Sequence, residues 1–586
     1  WLDEIFDPAP ERRVNIAASG GSEKGQYYLS AGWYRQDGVV IHTNYERFNL
    51  RANTLFRIKD RIRVGENMTA SYSEQVSIPG GIQGTGNAIT MAMRMPTIIP
   101  VYDVGGNFAG TRAAGMNNPR NPVAMLVRNK DNVAKGLRLL TNAFAEVDLA
   151  EGLTAKTSFN VELFNTVDNR VYNIRDIESA EPAASNSLSQ RSDNNFNWTW
   201  SNTLTYSRSF GDHDLTVLAG TEAIDNTYTY FGASRVNFFS DELDYRQLDA
   251  GEAGINNFGN TYSSSLFSIF GKVDYAYKGK YILSATVRRD GSSRFGEVNR
   301  YGVFPAFSAA WRISDEDFFN TDGPINELKL RAGYGVTGNQ EIGDYRYSST
   351  FGPDIATSGY DINGTNNSVV VGFDSRVFGN PDVKWEETSG INAGFDAIMF
   401  NQRLGLVFDW YKYTTNDMLI EVEPPTTKGV AAPPFVNVGT MENKGVDLAL
   451  TYTSSEQGDF GYDIGVNFST YKNKVVKLAE SDQVFWSGGF RTYNATRTEE
   501  GYPIASFFGY NIVGIFQDQA EVDAWATQPG AAPGRFKYED NNGTDETGRL
   551  TGQPDGKIDA ADRTYIGSPH PDFTFGATFN FRYKDF

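Results

Sequence analysis

Near the end of the chain, Phe573, Phe575, Ala577, Phe579, Phe581 and Tyr583 alternate with Thr574, Gly576, Thr578, Asn580, Arg582 and Lys584. Side chains point to opposite faces along a strand, so this segment predicts an aromatic wall on one face and a hydrated surface on the other. A strand crossing an outer membrane needs about 9–11 tilted residues, apolar toward lipid and polar toward a wet lumen. The same contrast recurs. Tyr281, Leu283, Ala285 and Val287 oppose Ile282, Ser284, Thr286 and Arg288, and Leu404, Leu406, Phe408 and Trp410 oppose Gly405, Val407, Asp409 and Tyr411. Tyr462, Ile464, Val466 and Phe468 oppose Asp463, Gly465, Asn467 and Ser469, while Trp198, Trp200, Leu204 and Tyr206 line one face of another segment. Taking period two as the criterion gives about 17 strands. The pattern predicts an all-β chain, a transmembrane antiparallel β-barrel.

The connections sharpen this. Short links fall near Gly21 to Gly25, Arg57 to Arg61, Leu149 to Leu153, Ser207 to His213, Ala276 to Tyr281, Phe400 to Arg403 and Ser454 to Gly461. Long ones run from Ser73 to Lys135, Phe164 to Asn194, Ala223 to Ser263, Val336 to Glu387, Thr414 to Asn443 and Lys472 to Asp572. Antiparallel strands place alternate connections on opposite rims, so alternation gives one rim of tight turns and one of large loops, as in outer-membrane barrels. The link from Ile313 to Asn326 is longer than its short-rim position predicts. Loops are rich in Asn, Gly, Ser, Thr and Asp, as in Asp361 to Ser368. No fixed-period repeat stands out beyond the hairpins.

Composition changes the picture in three ways. The mean hydropathy of −0.43 accompanies no run of 18 apolar residues, which excludes helical membrane spans and leaves barrels open. The absence of cysteine, with only His42, His213 and His570 as histidines, removes thiolate sites and makes histidine metal centres and triads improbable. A net charge of −19 argues against nucleic acid, which needs a basic face. No GxSxG elbow or phosphate-binding loop is present, so nothing points to an enzyme.

Several stretches resemble the SusC/RagA family of TonB-dependent outer-membrane transporters of Bacteroidota. The strongest are GKYILSATVRRDGSSRFG (Gly279 to Gly296) and NRYGVFPAFSAAWRISDEDFF (Asn299 to Phe319). LKLRAGYGVTGNQEIGDYRY (Leu328 to Tyr347), NPDVKWEET (Asn380 to Thr388), DWYKYTTNDMLI (Asp409 to Ile420) and NVGTMENKGVDL (Asn437 to Leu448) continue it. GYPIASFFGYNIVGIFQ (Gly501 to Gln517) and DGKIDAADRTYIGSPHPDFTFG (Asp555 to Gly576) complete it. The resemblance implies a barrel of about 22 strands around an N-terminal plug. It also implies energy through the TonB complex, a SusD-like surface lipoprotein as lid, and an oligosaccharide or, second, a peptide as ligand. On this reading residues 1–586 are one incomplete barrel domain set in outer-membrane lipid, its loops extracellular. Plug and about five closing strands are expected outside it. A passive porin or surface adhesin barrel without a plug shares the same strands. A soluble all-β carbohydrate-binding or lyase domain also alternates, but has no reason for the loop asymmetry.

Strand aromatics such as Trp410, Phe579 and Phe581 are expected to face lipid. Strand charges such as Arg288, Arg312, Asp409 and Arg582 are expected in the lumen, because Arg facing lipid at mid-depth costs about 2–4 kcal/mol. On the long-loop rim, Trp486, Tyr493 and Trp525 are candidates to stack a sugar ring or peptide, or else to pin loops together. The acidic run contains DNNG (Asp540 to Gly543) and DGKIDAAD (Asp555 to Asp562), pieces of a calcium loop. Asp540, Asn542, Asp555, Asp559 and Asp562 are the candidate calcium ligands, although Thr544 to Pro554 interrupts the spacing and favours a plain acidic turn.

Overall fold

The computed structural model describes all residues except 82–85, 175, 181–184, 354, 366–368, 423–426, 428, 430, 455–458, 479–483, 491–492 and 585–586. Parts of six expected links, those from Ser73 to Lys135, Phe164 to Asn194, Val336 to Glu387, Thr414 to Asn443, Ser454 to Gly461 and Lys472 to Asp572, therefore lie outside the described residues.

Seventeen strands form the main sheet. They begin with β1 (Glu11–Ser22), β2 (Gly25–Asp37), β3 (Asn44–Ile58), β4 (Ile62–Val76), β5 (Ala134–Ala150) and β6 (Leu153–Asn173). Next come β7 (Ser187–Phe210), β8 (His213–Phe238), β9 (Gly251–Tyr277), β10 (Tyr281–Ser292), β11 (Tyr301–Arg312) and β12 (Ile325–Asn339). The last are β13 (Glu386–Met399), β14 (Leu404–Asn416), β15 (Thr440–Thr453), β16 (Phe460–Lys477) and β17 (Thr574–Tyr583). Antiparallel pairing joins strands that follow one another in the chain, from Ser22 opposite Gly25 at the first hairpin to Phe460 opposite Tyr583 at the last.

The short links stand where the sequence places them, and the Ile313 to Asn326 link is indeed the long one of its rim, with β11 ending at Arg312 and β12 starting at Ile325. Two expectations change. The links from Gly38 to Thr43 and from Ser293 to Arg300 are short although they fall on the long-loop rim. The expected links Phe164 to Asn194 and Ala223 to Ser263 are largely strand, because β7, β8 and β9 run for 24, 26 and 27 residues. At about 3.3 Å per residue and a tilt near 40°, such strands rise roughly 60–70 Å, against an apolar band of about 25 Å. Beyond that band both faces are wet, so the period-two contrast fades while the hydrogen-bond ladder continues. Asn169 to Asn173, for example, still pairs with Ser187 to Arg191.

The chain divides into two compact units: Trp1–Ser207 with Val217–Gly271 and Asp290–Ser293, and Arg208–Thr216 with Lys272–Arg289 and Arg294–Phe586. In the first, the β4–β5 link folds into helices α1 (Ala88–Arg94) and α2 (Pro122–Asn129). Asn87 and Asn121 cap them, accepting the N–H groups of Thr90 and Ala124, and the Asn121 amide also donates to Val101 and Ala109 carbonyls at 2.9 Å each. Ala88, Ala92, Val123 and Leu126 then bury against Ile5 and Val40. The core sits here at the loop rim, because a sheet between lipid and water has no third layer to pack. In the second unit Trp385 of the NPDVKWEET stretch plays the same part, its ring 5.1 Å from Phe295 and 5.3 Å from Phe304.

Within the second unit the polar face of the sheet carries its own ion pairs. Arg331 on β12 donates to both oxygens of Asp409 on β14 at 2.7 and 2.8 Å and to Asp396 on β13 at 2.9 Å. Register explains how one side chain crosses three strands: Arg331 faces Gly394, and Gly394 faces Asp409. A Cβ at Gly394 would lie 2.6 Å from the Asp409 carboxylate and 2.3 Å from the Phe408 carbonyl. The opposite face bears exposed rings, Trp410, Phe579 and Phe581 among them. We predict that Gly394→Ala in the full-length protein costs about 1–3 kcal/mol, read from urea midpoints on heat-modifiable gels. Gly465→Ala, on a strand paired on both sides and where a Cβ meets only Thr578 at 4.0 Å, should leave the midpoint nearly unchanged.

Candidate functional site

The link between β16 and β17 builds a four-stranded sheet from Phe485–Phe490, Tyr493–Thr498, Ser506–Tyr510 and Arg563–Gly567. Trp486 meets Phe508 edge-on at 5.4 Å, with Arg497 and Arg563 lying 5.5 and 5.1 Å from its ring centre. Arg497 also covers Phe508 at 4.6 Å, so alternating rings and guanidinium groups hold this sheet together. Trp525 donates its indole N–H to the Tyr538 carbonyl at 2.9 Å, and Lys537 stands 4.0 Å from its ring. Tyr493, at the hairpin tip, is 75% exposed. Of the three aromatic candidates, Trp486 and Trp525 thus have packing roles, and Tyr493 presents an open ring.

The acidic candidates are brought together by backbone rather than by a cage of oxygens. Asp562 is buried and accepts the N–H groups of Asn541, Asn542 and Asp559 at 2.9, 3.1 and 2.8 Å. Asp540 accepts from Asp555 and Gly556, Asn542 from Gly543 and Gly552, Asp559 from Ala561, and Asp555 from Lys557. In the inserted stretch, the Thr547 hydroxyl and the N–H groups of Arg549 and Thr547 hold the Asp545 carboxyl below its ordinary value. Among the described residues no group of three or more His, Cys, Asp or Glu side chains is placed to hold a metal ion. Each of these side-chain oxygens thus accepts backbone N–H groups that shape the turn.

The sequence reading missed a third feature, on the polar face of the first unit. Asn53, Asn67, Asn142 and Asn160 on β3, β4, β5 and β6 stand opposite one another in successive registers. The Asn142 amide donates to Asn160. With Asn197 and Asn226 from β7 and β8 they line a hollow of about 410 Å³. The Asn197 carbonyl oxygen there is buried without a donor. Farther along the same strands, Arg191 grips Asp193 through two nitrogens, and the Tyr228 hydroxyl donates to Asp193 while accepting from Arg191. The signal was present, since Asn53 and Asn67 lie symmetrically about the β3–β4 turn, but only pairing reveals that the amides meet.

Residues 100–549 match the family described as TonB dependent receptor-like, beta-barrel. The chain is 33% identical over 596 residues to TonB-dependent receptor P3 of Formosa agariphila and 24% identical over 626 residues to TonB-dependent receptor SusC of Bacteroides thetaiotaomicron. Each alignment covers 100% of this chain and 57% of the relative, so the chain spans little more than half their length. The solved structure of the RagAB peptide transporter superposes with a TM-score of 0.82 at 26% identity, covering 100% of this chain and 61% of the other. The chain belongs to the TonB-dependent receptor β-barrel family. Barrels of this family sit in the outer membrane, so the exposed rings face lipid and the polar face lines the lumen.

Asp562 is the residue on which the acidic turn depends. Asp562→Ala leaves three donors without their carboxylate and should destabilise the 478–573 segment by about 2–4 kcal/mol, seen as faster proteolysis there in the full-length protein. Asp555→Ala, at an exposed position, should cut no faster than wild type.

Proposed function

We propose that this chain is the main part of the barrel of an energised importer that takes up a large, mostly neutral nutrient, an oligosaccharide first and a peptide second. The observation that carries this is the lining of the first unit. Its polar face carries amides and phenols, some of its charges pair locally, as in Arg138 with Glu162 and Arg191 with Asp193, and Arg51 in the hollow lies over the Tyr28 ring. Strands of 24–27 residues raise that lining well above the membrane band, where a bulky ligand would first be met. The SusC relative supports the oligosaccharide reading by resemblance, and the RagAB likeness is what keeps a peptide in view. TonB as energy source and a SusD-like lipoprotein lid come with the family resemblance. The Asp540–Asp562 turn stays outside the transport mechanism.

Uptake measurements in the native cell test this. Deleting the gene should abolish uptake of the cognate labelled oligosaccharide, and deleting TonB should reduce it to the same background. A passive porin would keep its uptake without TonB, and that result would overturn the energised reading.

A further inference from the structure

We propose that Tyr228, Tyr230 and Tyr262, with the amide of Asn197 beneath them, form a stacking subsite for a neutral sugar ring. The assignment rests on the importer reading and names where its ligand is held. The three ring centres are 5.8, 6.2 and 6.4 Å from one another, and their planes lie within 33° of parallel. Three mutually equidistant rings cannot be a simple stack, so they spread as a patch. Arg191 lies 4.3 Å from the Tyr230 ring centre and holds that ring's orientation. Because Asp193 pairs with this same Arg191, the cluster is shaped and polar without attracting a charged ligand.

Aromatic rings take the C–H faces of a pyranose, and amides take its hydroxyls. Asn197, Thr199 and Asn226 line the adjoining hollow with amide and hydroxyl groups of the kind that take sugar hydroxyls. Asn226 lines the hollow with Asn197 and sits two residues before Tyr228 on the same strand face, which makes rings and hollow one continuous surface. Tyr262 is 42% exposed. Strand addition, one mode of holding an extended peptide, needs an unpaired strand edge. Here β7 already pairs with β6, and the sheet continues through β8 and β9, so no edge is offered. Counting from His213 at the short turn, Tyr228 stands roughly 40 Å up the wall.

The test uses the full-length transporter in nanodiscs, with four end-labelled neutral hexasaccharides, of glucose, mannose, xylose and galactose, and a mixture of uncharged decapeptides. Anisotropy should show binding of at least one hexasaccharide. Tyr262→Ala should weaken it about fivefold to tenfold, Asn197→Leu should weaken it severalfold, and Tyr262→Phe should restore wild-type affinity. Unchanged heat-modifiable migration and urea midpoint of Tyr262→Ala separate lost stacking from lost folding. A hexasaccharide that binds wild type and Tyr262→Ala equally overturns the subsite while leaving the importer standing. Binding of none of the four, or of decapeptides alone, overturns the saccharide assignment. Loss of all TonB-dependent uptake in the cell assay is the separate result that would remove the importer itself.

Discussion

Everything in this chain follows from the requirement that a backbone in lipid pair all its N–H and C=O groups within the protein. The ladder of antiparallel strands meets that requirement, and in meeting it fixes register. Register in turn decides which side chains meet across strands. Arg331 can reach Asp409 only because Gly394 lies between them in register without a side chain. The row Asn53, Asn67, Asn142 and Asn160 exists for the same reason. A one-residue slip would turn each of these toward lipid.

The ladder also outlasts the membrane. Strands β7 to β9 keep pairing far past the apolar band, and there the alternation of apolar and polar residues is replaced by polar residues and tyrosines on a stiff wall. Loops that would otherwise be mobile are tied to that rim by compact cores, around α1 and α2 in the first unit and around Trp385 in the second. The result in the first unit is a wall of amides, tyrosines and locally paired charges above the apolar band.

How much of this was legible in the sequence depended on whether a feature needed one strand or two. Phe573 to Tyr583 announced its faces alone, and so did Trp198 and Trp200. The alternation of links placed the turns correctly. The extensions of β6 to β9 were hidden because a strand wetted on both faces loses its period. The amide row was hidden because its members are distant in sequence and meet only through register. Trp486 is exposed as a loop ring is expected to be, but its flanking by Arg497 and Arg563, 11 and 77 positions away, was not visible in the sequence. The acidic run read as a plain turn from its interrupted spacing, but that Asp562 anchors it through backbone N–H groups is not visible in composition.

The central claim is that neighbouring residues of one strand see lipid and water in turn. Phe159 and Asn160 on β6 test it most directly, and residues 1–586 hold no native cysteine to compete with a single introduced one in this part of the barrel. Spin labels at Phe159→Cys and Asn160→Cys in reconstituted full-length protein should differ sharply. Phe159 should collide more with oxygen, which concentrates in lipid, and Asn160 more with a water-soluble nickel chelate. Equal accessibility at the two sites, or the reverse order, would contradict the account.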